Sequence, residues 1–92
     1  MPLYYFEIHD SFVITDQDGT ELPGPVQARI AAVRFAGSYL HDHPDLVWDG
    51  HELHVQVFDE KRALLTTIIV SAADEWPMRE QIARESKDRE ST

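Results

Sequence analysis

The sequence predicts an α+β domain: a ββαββ chain whose antiparallel sheet carries one long helix on one face, followed by a C-terminal helical tail. Three observations predict it. Short runs of aromatic and β-branched residues stand on both sides of a single long segment with helical spacing. Clusters of Asp, Gly and Pro separate these runs. A charged stretch with acid-before-base pairs four residues apart closes the chain.

The first strand spans Leu3 to His9, where aromatic and β-branched residues dominate. Tyr4, Phe6 and Ile8 share one face, and Leu3, Tyr5, Glu7 and His9 the other. His9-Asp10-Ser11 is a turn, and Phe12 to Thr15 returns as the second strand of a hairpin. The segment "DQDGTELPGP" is turn chemistry throughout. Pro25 suits the first turn of a helix, where no amide donor is needed.

The helix runs from about Pro25 to His41. Val26, Ile30, Val33, Gly37 and Leu40 follow 4-3-4-3 spacing and form the expected buried stripe, with Gly37 admitting the sheet closely. Ala28, Ala32, Phe35 and Tyr39 lie on a different side, and Gln27, Arg34 and Ser38 form a polar face. A one-sided amphipathic helix does not carry Phe35 and Tyr39 off its stripe, so a curled sheet or another chain must cover them. Arg29 reads as structural, paired with an acid such as Glu21 or lying past the sheet edge.

Pro44 ends the helix and Asp49-Gly50 turns the chain. His51 to Phe58 alternates, with Leu53, Val55 and Val57 opposite His54, Gln56 and Phe58. Asp59 to Arg62 is a polar hairpin loop. Ala63 to Val70 is apolar on both faces, as a central strand covered on both sides would be. Residues 1–72 thus form the domain and 73–92 the tail. In the tail, Glu75–Arg79, Glu80–Arg84 and Glu85–Arg89 are spaced for helical ion pairs, and Trp76, Met78, Ile82 and Ala83 are its few apolar residues.

Composition narrows the function classes. Lys and Arg total 8 against 17 Asp and Glu, a net charge of −9. Such a surface repels a phosphate backbone, so no nucleic-acid partner is expected. The chain has no cysteine, which removes thiolate catalysis and zinc–thiolate sites and fits a reducing compartment. Its longest apolar run, Ile68-Ile69-Val70, falls far short of the ~20 residues of a membrane span. The start "MPLYYFEIHD" lacks the basic region and apolar core of a signal peptide. A cytoplasmic protein without membrane or cofactor is expected.

The segment Tyr39 to His54 holds His41, His43, His51 and His54, out of 5 histidines in the chain. His41 and His43 are two apart at a helix end, and His51 and His54 enter a strand facing opposite ways, so the spacing does not gather metal ligands. A helix terminus and a turn explain them, because histidine sits well against the C-terminal dipole. "DQDGTE" fails as a calcium loop: with Gly19 at the sixth position, Ile14 and Pro25 would occupy the first and last ligand places. His9, Asp10 and Ser11 are adjacent in sequence and do not address one substrate atom. "GTELPG" lacks the spacing and the lysine of a phosphate loop.

The order of Met1, Pro2, Tyr4 and Phe6, then Asp10, then Asp16, Gly19, Glu21, Leu22 and Pro23, then Ala28 and Arg29, resembles a family of short bacterial proteins classified as a domain of unknown function. The likeness covers about Met1 to Ala72. It implies no activity and no catalytic residues. It does imply that the strands and the first helix make up the whole domain.

The expected function is a non-enzymatic interaction or regulatory module acting as a homodimer, with Tyr5, Phe35, Tyr39, Phe58 and Trp76 as interface residues. Large apolar patches are disfavoured on monomers. The alternatives are a metal protein or small enzyme using His41, His43, His51 or His54, and an acidic binder of a basic protein.

Overall fold

In the computed structural model, which describes the backbone of residues 1–90 and the side chains of residues 1–87, strand β1 spans Leu3–His9. Strand β2 is Val13–Thr15, and β3 is the two-residue strand Thr20–Glu21. Helix α1 is Pro25–Asp42, strands β4 and β5 are Leu53–Phe58 and Leu64–Val70, and helix α2 is Trp76–Glu90. The chain is α+β with one antiparallel sheet, ordered β2-β1-β4-β5, and β3 pairs with the start of β1. The order βββαββα therefore replaces the expected ββαββ. The segment read as pure turn contains β3, whose Thr20 and Glu21 face Tyr4 and Leu3.

A single residue pattern explains why that turn admits a strand. Gly19 has φ +79, a left-handed conformation that glycine adopts without a Cβ clash. The Asp16 carboxylate accepts a hydrogen bond from the Gly19 amide at 3.0 Å. An added Cβ at Gly19 would lie 3.0 Å from the Tyr5 ring. The Asp16-x-x-Gly19 spacing thus sets a turn that brings Thr20 back onto β1.

The sheet's two central strands are β1 and β4. Phe6 pairs with Val57 and Ile8 with Val55, so their inward residues share a face. On that face Tyr4, Phe6, Leu53, Val55 and Val57 are buried together with Ala28, Ala32 and Ala36 of α1. Large side chains come from the sheet and small ones from the helix. Close-packed interiors require such a volume match.

That match reverses the expected stripe. Val26, Ile30 and Val33 point outward at 59%, 47% and 57% exposure. Gly37 is exposed, and no atom lies within 4 Å of the Cβ it lacks, so no close approach depends on it. Leu40 alone of that stripe is half-buried against the core. Strand β5 is also corrected: it lies at the sheet edge, not its centre. Its Leu64, Leu65 and Ile69 are exposed.

Among the described residues, helix α2 makes no contact with another element. Its Glu80–Arg84 pair closes at 2.6 Å as expected, whereas the side chain of Arg89 lies outside the described residues. Trp76, Met78 and Ile82 are exposed on it.

Candidate interaction surface

The outward stripe of α1 and the free edge of β5 adjoin. Arg29 and Val33 of α1 and Ile68 of β5, with Val26 and Ile30, line a shallow hollow of about 350 Å³. A second hollow of about 330 Å³ continues it toward the helix start, between Pro25, Arg29, Leu65 and Thr66. Three branched side chains in a row on the helix and an uncharged strand beside them make one apolar surface. Alternation in the sequence could not place it, because both stripes of α1 are apolar. The signal that could have done so is the four-residue spacing of Ala28, Ala32 and Ala36. Small residues at that period let a helix lie close on a sheet of large side chains.

The acid distribution sets this surface apart. None of the 17 acidic residues lies between Leu22 and His41 or between Lys61 and Ala73. Those two segments hold nearly all of α1 and all of β5. Arg29, Arg34, Lys61 and Arg62 fall within them.

The residues expected at an interface are spread over separate parts of the structure. Tyr5 and Phe58 do meet, as cross-strand partners on the sheet face opposite α1. The Arg62 guanidinium lies 3.6 Å from the centre of the Tyr5 ring and caps it. Arg62 itself adopts φ 65 in the β4–β5 loop. There the Asp59 carboxylate accepts from the Lys61 and Ala63 amides at 2.8 and 2.9 Å. Phe35 packs edge-to-face on Phe6 with ring centres 4.8 Å apart, and it retains 40% exposure. Trp76 is 72% exposed on α2.

Tyr39 closes one end of the molecule. Its hydroxyl donates to an Asp10 carboxylate oxygen at 2.6 Å. The other Asp10 oxygen accepts from the Phe12 amide at 2.8 Å. These bonds, led by that from Tyr39, hold the Asp10 carboxyl below its ordinary range. The same bond, followed by desolvation, pushes the Tyr39 phenol up. Both groups therefore keep their charge state through neutral pH: Asp10 ionised, Tyr39 protonated. That is a latch between the end of β1 and the end of α1, not an acid–base pair poised for proton transfer.

The histidines disperse. His43 stacks on Tyr39 with ring centres 4.2 Å apart, and its Nδ1 lies 2.9 Å from the Tyr39 carbonyl oxygen. His41 lies beside Asp42 on the exposed helix end. His54 faces Glu52 at 3.2 Å from β4. His51 lines an open hollow with Asp10, Ser11, Leu46 and Glu52. Among the described residues no three His, Asp or Glu side chains come together as metal ligands. No helix among them is long and apolar enough to cross a membrane.

The family described as a domain of unknown function (DUF6894) matches residues 3–71. The chain belongs to this family. The match runs from the start of β1 to just past β5 and takes in both halves of the apolar surface. No curated protein and no solved structure matches the chain.

Proposed function

We propose that this DUF6894 member is a non-catalytic interaction module that works as a homodimer, with the outer stripe of α1 and the adjoining strand β5 as its contact surface. The observation that carries the proposal is the outward row Val26, Ile30 and Val33 beside an uncharged edge strand. Contiguous apolar patches of this kind mark interaction sites on soluble proteins. A small sheet with one helix has a modest core, and association is one of the usual supplements to it.

The polar groups support the same reading. Asp10, Tyr39, His43, Asp16 and Asp59 are engaged in turns and in the latch. We take residues 1–72 as the working domain and 73–92 as an appendage, because among the described residues α2 contacts none of the other elements. A reducing, cytoplasmic setting belongs to this proposal and draws on a sequence without cysteine. The acids left outside the contact surface would serve a basic protein partner.

Thermal melts at increasing protein concentration test the proposal. Association of folded chains stabilises them by mass action, so the midpoint should rise with concentration across the micromolar range. A midpoint independent of concentration would argue for a monomer.

A further inference from the structure

We infer that the second copy joins through β5. Two β5 strands pair antiparallel across a two-fold axis, fuse their sheets into one, and bring the outer stripes of two α1 helices together above the joint. This inference rests on the self-association proposed above and names its geometry.

The edge itself is the first argument. Free edges are normally protected by charges, proline or shortness. Strand β2, at the opposite edge, has only 3 residues. Strand β5 has 7, reads Leu-Leu-Thr-Thr-Ile-Ile-Val, and carries no charge and no proline. Its one irregularity is a register shift near Phe58, at one end. A long uncharged edge is a template for another strand.

Charge selects a second copy as that strand's owner. Each chain carries −9, so two copies repel wherever their acids face each other. The α1 and β5 segments contain none of those acids apart from Asp42 at the helix terminus. Apposing these faces keeps the carboxylates of both chains apart.

The available area meets the need of a small dimer at its upper end. A fully buried Val, Leu or Ile contributes roughly 60–120 Å² of apolar surface. Val26, Ile30, Val33, Leu64, Leu65 and Ile69 are each about half exposed. Together they offer on the order of 200–350 Å² per copy. Apolar atoms make up about 56–65% of a typical interface. Two copies supply on the order of 400–700 Å² of apolar area, which at that share corresponds to a joint of roughly 600–1,250 Å² in total, its upper end meeting the lower bound of stable dimers at about 1,200 Å².

The spacing also fits. Strands lie about 4.8 Å apart, and α1 rests over β4 and β5. Two such helices across a β5–β5 joint come to roughly 10–14 Å between axes by that strand spacing. Direct helix packing takes about 8–10 Å, so bulky side chains must fill the difference. The outer stripe supplies Val and Ile where the inner one supplies Ala.

The symmetry makes the inference testable. Paired strands put like faces together, so a two-fold axis sets one residue of β5 opposite its own copy. Directly opposed Cα atoms lie about 4.5–5.5 Å apart, within the range a disulfide spans. The chain has no cysteine, so a single substitution introduces a single thiol. Single-cysteine variants at each position from Leu65→Cys to Ile69→Cys should be oxidised mildly and run on a non-reducing gel. Ser38→Cys, on the polar face of α1, controls for collision. The mass of each reduced sample is read by light scattering. The expected result is a reduced dimer in which one or two neighbouring β5 positions cross-link at least tenfold faster than Ser38→Cys. A reduced dimer in which no β5 position exceeds the control overturns the β5 geometry and leaves self-association standing. A reduced monomer for the unsubstituted chain and all variants overturns both.

Discussion

Tyr39 and Asp10 show how much one side-chain pair contributes here, and where pH reaches it. The bond is 2.6 Å long and joins two elements far apart in sequence. Removing the hydroxyl in Tyr39→Phe should cost about 1–2 kcal/mol, as for a hydrogen bond to a charged group at a partly solvated site. For a chain of this size that lowers the melting midpoint by about 4–8 °C per kcal/mol. Asp10 titrates below its unfolded value, so its share is fully present above that value and is lost as pH falls through the folded one. Tyr39 titrates above its unfolded value, so its share is present below that value and is lost as pH rises through the folded one. Denaturant melts of both chains should therefore differ most between the two carboxylate and phenol limits and converge in acid. A difference that persists unchanged well below the carboxylate range would mean that Asp10 is not the acceptor. None of this pairing was legible in the sequence, where Asp10 reads as a turn residue and Tyr39 as surplus apolar surface. A hydrogen bond between distant residues leaves no periodic trace. The Asp16-x-x-Gly19 turn, in contrast, was legible as turn chemistry because both of its determinants are local.

Helix α1 carries the disagreement between sequence and structure at the element scale. Its two apolar stripes lie roughly 130° apart around the helix at about 100° per residue, and hydrophobicity alone ranks Val26, Ile30 and Val33 above three alanines. Volume decides the other way. Tyr4, Phe6, Leu53, Val55 and Val57 already fill the space beneath the helix, and only small residues fit against them. Ala32 has no exposed surface, whereas Val33 is 57% exposed. Ala32→Leu should then destabilise by about 1–3 kcal/mol through overpacking. Val33→Ala should cost under about 1 kcal/mol in the isolated fold, since an exposed side chain loses little burial and alanine favours helix. Urea unfolding at low protein concentration measures both, and the reverse ranking would restore the stripe that periodicity suggests. The misplacement of β5 has a similar cause. An apolar strand reads as buried on both sides, yet a strand can be apolar because its uncovered side awaits a partner. Strands β1 and β4 and the helix bounds were legible because alternation, Pro25 and Pro44 are local signals.

At the scale of the whole molecule, the sheet, the helix and the charge pattern converge on one surface. The sequence indicated that apolar side chains exceed what one sheet and one helix hide, and it located the excess at Phe35 with Tyr39 and at Tyr5 with Phe58. Phe35 packs on Phe6 and keeps 40% exposure, and Tyr39 is half-buried with its hydroxyl on Asp10. Further exposed apolar side chains stand on the outer stripe of the same helix and along β5, and others at Phe12 to Ile14 and on α2. A chain of this design should not exist alone at working concentrations. Light scattering on the purified chain across the micromolar range, beside Ile30→Asp, tests this most directly. Ile30 is 47% exposed, so an acid there spares the fold while placing a charge at the centre of the contact. The expected mass is twice 10.6 kDa for the unsubstituted chain and 10.6 kDa for the variant. A mass of 10.6 kDa for both at every concentration would contradict it.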